Sequence, residues 1–108
     1  MEEVFKHDER LGLEVPELDK AWMDYSREQR LAILEHWESM RGRIPHLIGL
    51  FEAEIHTRQD LLHEEDDWDK TVALLNEIND YASRINDLNI LYRTQPDVDV
   101  TSESTNDQ

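Results

Sequence analysis

The sequence predicts an all-α fold. An antiparallel hairpin of helices at about 45–65 and 67–94 is packed by a helix at about 27–41 and a short N-terminal helical segment, making a small helical bundle. Three observations predict it. Apolar residues recur at three- and four-residue spacing through most of the stretch from Ile33 to Tyr92. Five of the six Gly and Pro residues fall at breaks in that pattern: Gly12 with Pro16, Gly42 with Pro45, and Pro96. Leu, Ile, Val and Phe make up 27 of the 108 residues, enough to exceed the roughly 20% below which a highly charged chain stays disordered. One domain over residues 1–96 with a thin core is expected.

The N-terminal quarter carries the weakest pattern. Residues 2–11 are expected to form a short helix presenting Val4, Phe5 and Leu11, and Pro16 to Tyr25 another presenting Leu18, Trp22 and Tyr25. Ser26 with Gln29 three residues on reads as a capping box. Ile33, Leu34, Trp37 and Met40 then define the helix of 27–41. Ile44, Ile48, Phe51, Ile55 and Leu62 define the next, with Pro45 tolerated in its first turn. The two stripes stay in phase, so a single helix kinked at Pro45 is an alternative. Gly49 falls inside a helical pattern and marks a candidate close approach between helices.

The last helix has the clearest signal. Leu74, Ile78, Tyr81, Ile85, Leu88 and Tyr92 are spaced 4-3-4-3-4, an unbroken heptad seam. Asp66 or Asp67 caps its start, and Asp69 suits the positive end of the helix dipole. Only Glu64–Asp67 separates this helix from the one before, so the two fold back on each other. Arg58 occupies the heptad slot between Ile55 and Leu62 and is expected to reach Glu54 or an acid on helix 67–94. The tail 97–108 has four acids, no base and no period, and is expected to be disordered.

Charge excludes several functions. The chain has 26 acids against 11 bases, a net charge of −15. Phosphate binding relies on Lys and Arg, so no nucleic acid is expected as a partner, and no anionic membrane surface either. The longest uncharged apolar stretch, Ile44 to Phe51, is far short of a membrane span. Met1 to Asp8 lacks the basic and apolar regions of a signal peptide, so a cytoplasmic protein is expected. Without Cys there are no disulfides, thiolate metal sites or cysteine nucleophiles. No phosphate-cradling glycine loop or serine nucleophile motif occurs. His56 and His63 lie about 10.5 Å apart along a helix axis, too far to share an ion. Neither a catalytic residue nor a cofactor is therefore assigned.

Two features point to interaction. Glu64, Glu65, Asp66, Asp67 and Asp69 place five acids in six residues around Trp68. Trp68 either packs onto the hairpin end or is offered to a partner, where Trp is a frequent anchor. Asn79, Asn86 and Arg93 recur every seven residues with Asn89 beside them, on the flank that carries Val72, Leu75 and Ala82. Such a polar stripe fixes register and oligomeric state, bonds an N-terminal segment crossing that flank, or is a half-exposed edge.

The function expected is that of a small acidic cytoplasmic module for protein–protein interaction or regulation, non-enzymatic, with a homodimer as one form. An acidic DNA-mimic inhibitor of a DNA-binding protein is the alternative, requiring the acids on one continuous surface. A second alternative starts from Glu35-His-Trp-Glu38 followed by Glu64-Glu-Asp-Asp67. This spacing resembles the Glu-x-x-Glu and Glu-x-x-Asp ladder of the MazG-like all-α nucleotide pyrophosphatases. The resemblance implies carboxylates that hold Mg²⁺ and, through it, substrate phosphates. Glu77-Ile-Asn-Asp80 repeats the same spacing, and no Lys or Arg cluster accompanies the pairs.

Overall fold

The computed structural model describes residues 4–96. Its elements are strand β1 (Phe5–Asp8), strand β2 (Leu13–Pro16), a 3₁₀ turn (Trp22–Asp24), and helices α1 (Arg27–Arg41), α2 (Ile44–His63) and α3 (Trp68–Tyr92). The fold is thus mostly helical, with a small two-stranded antiparallel sheet that the all-α expectation lacked. The tail expectation lies on 97–108, outside the described residues.

The sheet replaces the helix expected at residues 2–11. Phe5 pairs with Pro16, Lys6 with Val15, His7 with Glu14 and Asp8 with Leu13. Asp8 closes the connecting turn twice: its carboxylate accepts from Leu11 N at 3.0 Å and its carbonyl from Gly12 N at 2.8 Å. Gly12 has φ +86°, a left-handed conformation that glycine adopts without steric cost. Four-residue strands place only two side chains on each face, so their alternation is short enough for Val4, Phe5 and Leu11 to pass as helical spacing. A lone two-stranded hairpin is marginal in water, and this one is held by burying Phe5 and Leu13.

The helix expected over Pro16 to Tyr25 is a 3₁₀ turn instead. Asp19 N donates to the Tyr25 hydroxyl at 3.0 Å, and that hydroxyl donates back to the Asp19 carboxylate. This closed pair curls the chain and still buries Trp22 and Tyr25, with Leu18 against them.

The three long helices follow the sequence closely. Ser26 caps α1 with both bonds of the capping box: its Oγ accepts from Gln29 N at 3.1 Å and its N donates to Gln29 Oε1 at 2.8 Å. Between α1 and α2 the chain bends without leaving helical backbone angles, Gly42 at φ −64° and Arg43 at φ −83°. Pro45 sits in the first turn of α2, where its missing N–H costs nothing. Asp67 caps α3 by accepting from Lys70 N at 3.0 Å.

Packing divides the molecule in two. Val4, Phe5, Trp22, Tyr25, Ile33 and Trp37 form one buried cluster, and Leu11, Leu13, Ile44, Leu47 and Leu88 a second. Met40 and Leu91 touch both, so the clusters are one body at the root of the α2–α3 hairpin. From Ile48 to Asp87 no residue is buried. That stretch projects as an arm, and the described molecule measures 59 × 30 × 19 Å. The expected bundle is therefore not formed along the hairpin: α1 and the sheet cover its root and leave its length uncovered. Gly49 marks no close approach, because nothing lies within 4 Å of a Cβ added there.

Candidate interaction surface

The arm's root is locked from α1. Trp37 Nε1 donates to the Thr94 carbonyl at 2.8 Å, and an Arg41 guanidinium nitrogen donates to the Tyr92 carbonyl at 2.9 Å. Tyr92 is the last residue of α3, where helix carbonyls lack intrahelical partners, and Thr94 lies two residues beyond it. Arg41 also stacks over the Tyr92 ring, 4.7 Å from its centroid.

Along the arm, the two sides of the α2–α3 seam differ. On one side Arg58 donates to Glu54 at 2.6 Å and across the hairpin to Glu77 at 2.7 Å. Its guanidinium lies 4.8 Å from the Tyr81 ring centroid. Glu54 first, then Glu77, hold the Arg58 guanidinium protonated beyond its ordinary high value. Arg84 binds Asp80 at 2.7 Å and spans the Phe51 and Tyr81 rings, 5.5 and 5.0 Å from their centroids. Two cations thus roof the aromatic part of the seam, as cations do over π faces. The Arg58 contacts were expected from the sequence. The part played by Arg84 was missed, although its spacing from Asp80 and Tyr81 on one helix signals it.

On the other side stands a second heptad pattern. Trp68, Val72, Leu75 and Asn79 are followed by Ala82, Asn86, Asn89 and Arg93, spaced 4-3-4-3-4-3-4 along α3. At about 100° per residue this row lies roughly a third of a turn from the buried seam. All but Val72 are exposed, Trp68 at 74% and Leu75 at 43%. None of their side chains makes a hydrogen bond or ion pair among the described residues. Among the described residues the N-terminal segment does not bond these asparagines. It reaches α3 elsewhere, through Arg10 to Asp87 at 2.7 Å and to Ser83 at 2.6 Å.

The acidic turn is partly structural. Asp67 caps α3, and Glu65 accepts from Asp67 N at 3.1 Å. Glu64, Asp66 and Asp69 are exposed and bond nothing through their side chains among the described residues. Trp68 stands among them in solvent, so it does not pack back on the hairpin end.

The carboxylate ladder is not assembled. Glu35 and Glu38 sit on α1, whereas Glu64–Asp67 lies at the far end of α2, a helix of 20 residues and thus about 30 Å long. One ion cannot bridge the two pairs. No group of three His, Asp or Glu is arranged to hold a metal among the described residues. Among these residues no helix is long and apolar enough to cross a membrane. Comparison with protein-family models, curated proteins and solved structures gives no match for this chain.

Proposed function

We propose that this protein is a small cytoplasmic interaction module, non-enzymatic, which presents the α2–α3 arm to a protein partner. One observation carries the reading: the arm holds an apolar seam that its own fold leaves half-covered, with Trp68 exposed at its tip. Exposed apolar rows rimmed by polar groups are characteristic of interaction surfaces. A body locked to the arm's root by Trp37 and Arg41 gives the arm a fixed base. The DNA-mimic alternative has less support, because Glu54, Glu77 and Asp80 are paired with Arg58 and Arg84, which offsets acidic charge along that side of the arm.

The test is affinity capture with the full chain as bait, counting every retained protein, a second untagged copy included. Retention is expected to fall when Trp68→Ser and Leu75→Glu are combined, and to survive Met23→Ser on the body. Equal retention by all three baits would sink the reading.

A further inference from the structure

We infer that the open side of the arm receives a basic amphipathic helix of another protein. The apolar stripe of that helix lies along the row from Trp68 to Ala82, and its Lys and Arg residues lie over the acids of the tip. This rests on the reading of the arm as an interaction module and gives the partner its chemistry. Between Ile48 and Asp87 the arm carries 11 acids against three bases, a net charge of −8. Arg58 and Arg84, two of those bases, are held on the roofed side by Glu54, Glu77 and Asp80. Glu52, Asp60, Glu64, Asp66 and Asp69 are exposed, and none has an ion-pair or hydrogen-bond partner among the described residues.

These five acids border the open row. At about 100° per residue, Glu52 and Asp60 fall on the side of the α2 seam away from Arg58. Glu64 and Asp66 lie in the turn beyond α2, and Asp69 follows Trp68 directly. The row itself carries no charge until Arg93 at the root. The field over the row is therefore negative toward the tip, and complementarity calls for cations there. A second copy of the chain would bring the same acids and be repelled. Trp68, 74% exposed, adds an indole face on which a Lys or Arg of the partner can rest.

Spacing selects a helix as the occupant. Trp68, Leu75 and Ala82 follow one another at seven residues, about 10.5 Å along α3, the interval at which a facing helix repeats its own apolar positions. An extended strand repeats a face about every 6.6 Å and would fall out of step with the row. The adjoining face of α2 is polar, with Glu52, His56, Gln59 and His63 all exposed. Apolar contact is thus confined to one stripe on α3, which matches the single stripe of an amphipathic helix.

The probe is a synthetic helix of about three heptads, with Leu along one face and either Lys or Glu at every charged position of the other. Trp22 and Trp37 are buried, so the red edge of tryptophan emission from the full chain reports Trp68. The Lys form is expected to shift that emission to the blue and to bind about tenfold or more tightly than the Glu form. Leu75→Asn is expected to weaken its binding about tenfold with the helical circular dichroism unchanged. Leu61→Asn, also exposed but one turn from Arg58 on the roofed side, is expected to leave it. Combining Glu64→Gln, Asp66→Asn and Asp69→Asn should weaken binding severalfold. Combining Asp24→Asn, Glu28→Gln and Glu35→Gln on the body changes the net charge equally and should not. If both neutralised chains lose affinity alike, or Leu75→Asn has no effect, net charge alone accounts for binding and the proposal is overturned. A Glu form that binds as tightly as the Lys form also overturns it. A chain that ignores the Lys form, yet captures a protein until Trp68→Ser and Leu75→Glu are combined, refutes the basic helix alone. A chain that captures nothing through the arm refutes the interaction reading as well.

Discussion

The body and the arm of this molecule are made from similar helices with different fates. In the body, α1 and the sheet supply a second layer, and Ile33, Ile44 and Leu88 are wholly buried with Trp37 at 1% exposure. In the arm the same kind of heptad residue, Ile55, Ile78 or Ile85, stays partly exposed because only one neighbour helix faces it. Burial at about 25 cal/mol per Å² of apolar surface therefore accrues mostly at the root. What separates the two regions is the number of layers, not the quality of the pattern.

The largest effect expected is Trp37→Ala. It removes a buried indole and its bond to the Thr94 carbonyl, and should cost about 3–5 kcal/mol in urea unfolding. The equivalent truncation in the arm, Ile78→Ala, should cost less, about 1–2 kcal/mol, because much of the side chain already meets water. If Ile78→Ala matched Trp37→Ala, the arm would be buried in solution and the contrast would be lost.

Ser26→Ala comes next, at about 1 kcal/mol, since the hydroxyl that accepts from Gln29 N is lost while the Ser26 N–H can still donate to Gln29. Gly49→Ala works in the opposite direction. The site is helical, exposed and open around the added methyl, so a gain of about 0.5–1 kcal/mol is expected. A loss there would mean that something packs on Gly49 in solution.

The smallest effect concerns pH. The Tyr25 hydroxyl bonded to Asp19 holds that carboxyl below its usual range, and burial followed by the same bond pushes the Tyr25 phenol up. A depressed carboxyl stabilises the fold above its unfolded value, and the benefit is lost as acid protonates it, below about pH 4. A raised phenol stabilises the fold below its unfolded value, and that benefit is lost as pH rises past about 10. The difference in melting temperature between wild type and Tyr25→Phe should therefore be greatest between these limits and shrink at both edges. A pH-independent difference would trace the effect to packing alone.

Much of the helical part was legible residue by residue. The Ser26 box, Pro45 at a helix start, a cap at Asp66 or Asp67 and the Arg58 partners all depend on side chains within a turn or on one facing helix. The N-terminal quarter was not legible, because β1 and β2 are short and pair across a turn whose register rests on Asp8 and Gly12. Of the interaction residues, the acids and Trp68 were visible as a cluster. The asparagine stripe was visible as a period, but whether it was covered depended on where the N-terminal segment ran.

By itself, then, the sequence determined the three long helices, about where they begin, and that the last two fold back on each other. These follow from periodicity and capping, which are local. Only the tertiary structure decided that the N-terminal quarter is a hairpin of strands, that it covers the root and not the arm, and that Arg58 and Arg84 roof one side while the other stays open. The physical reason is that burial is set by which distant segments meet. A heptad row reads the same whether a neighbour lies against it or water does.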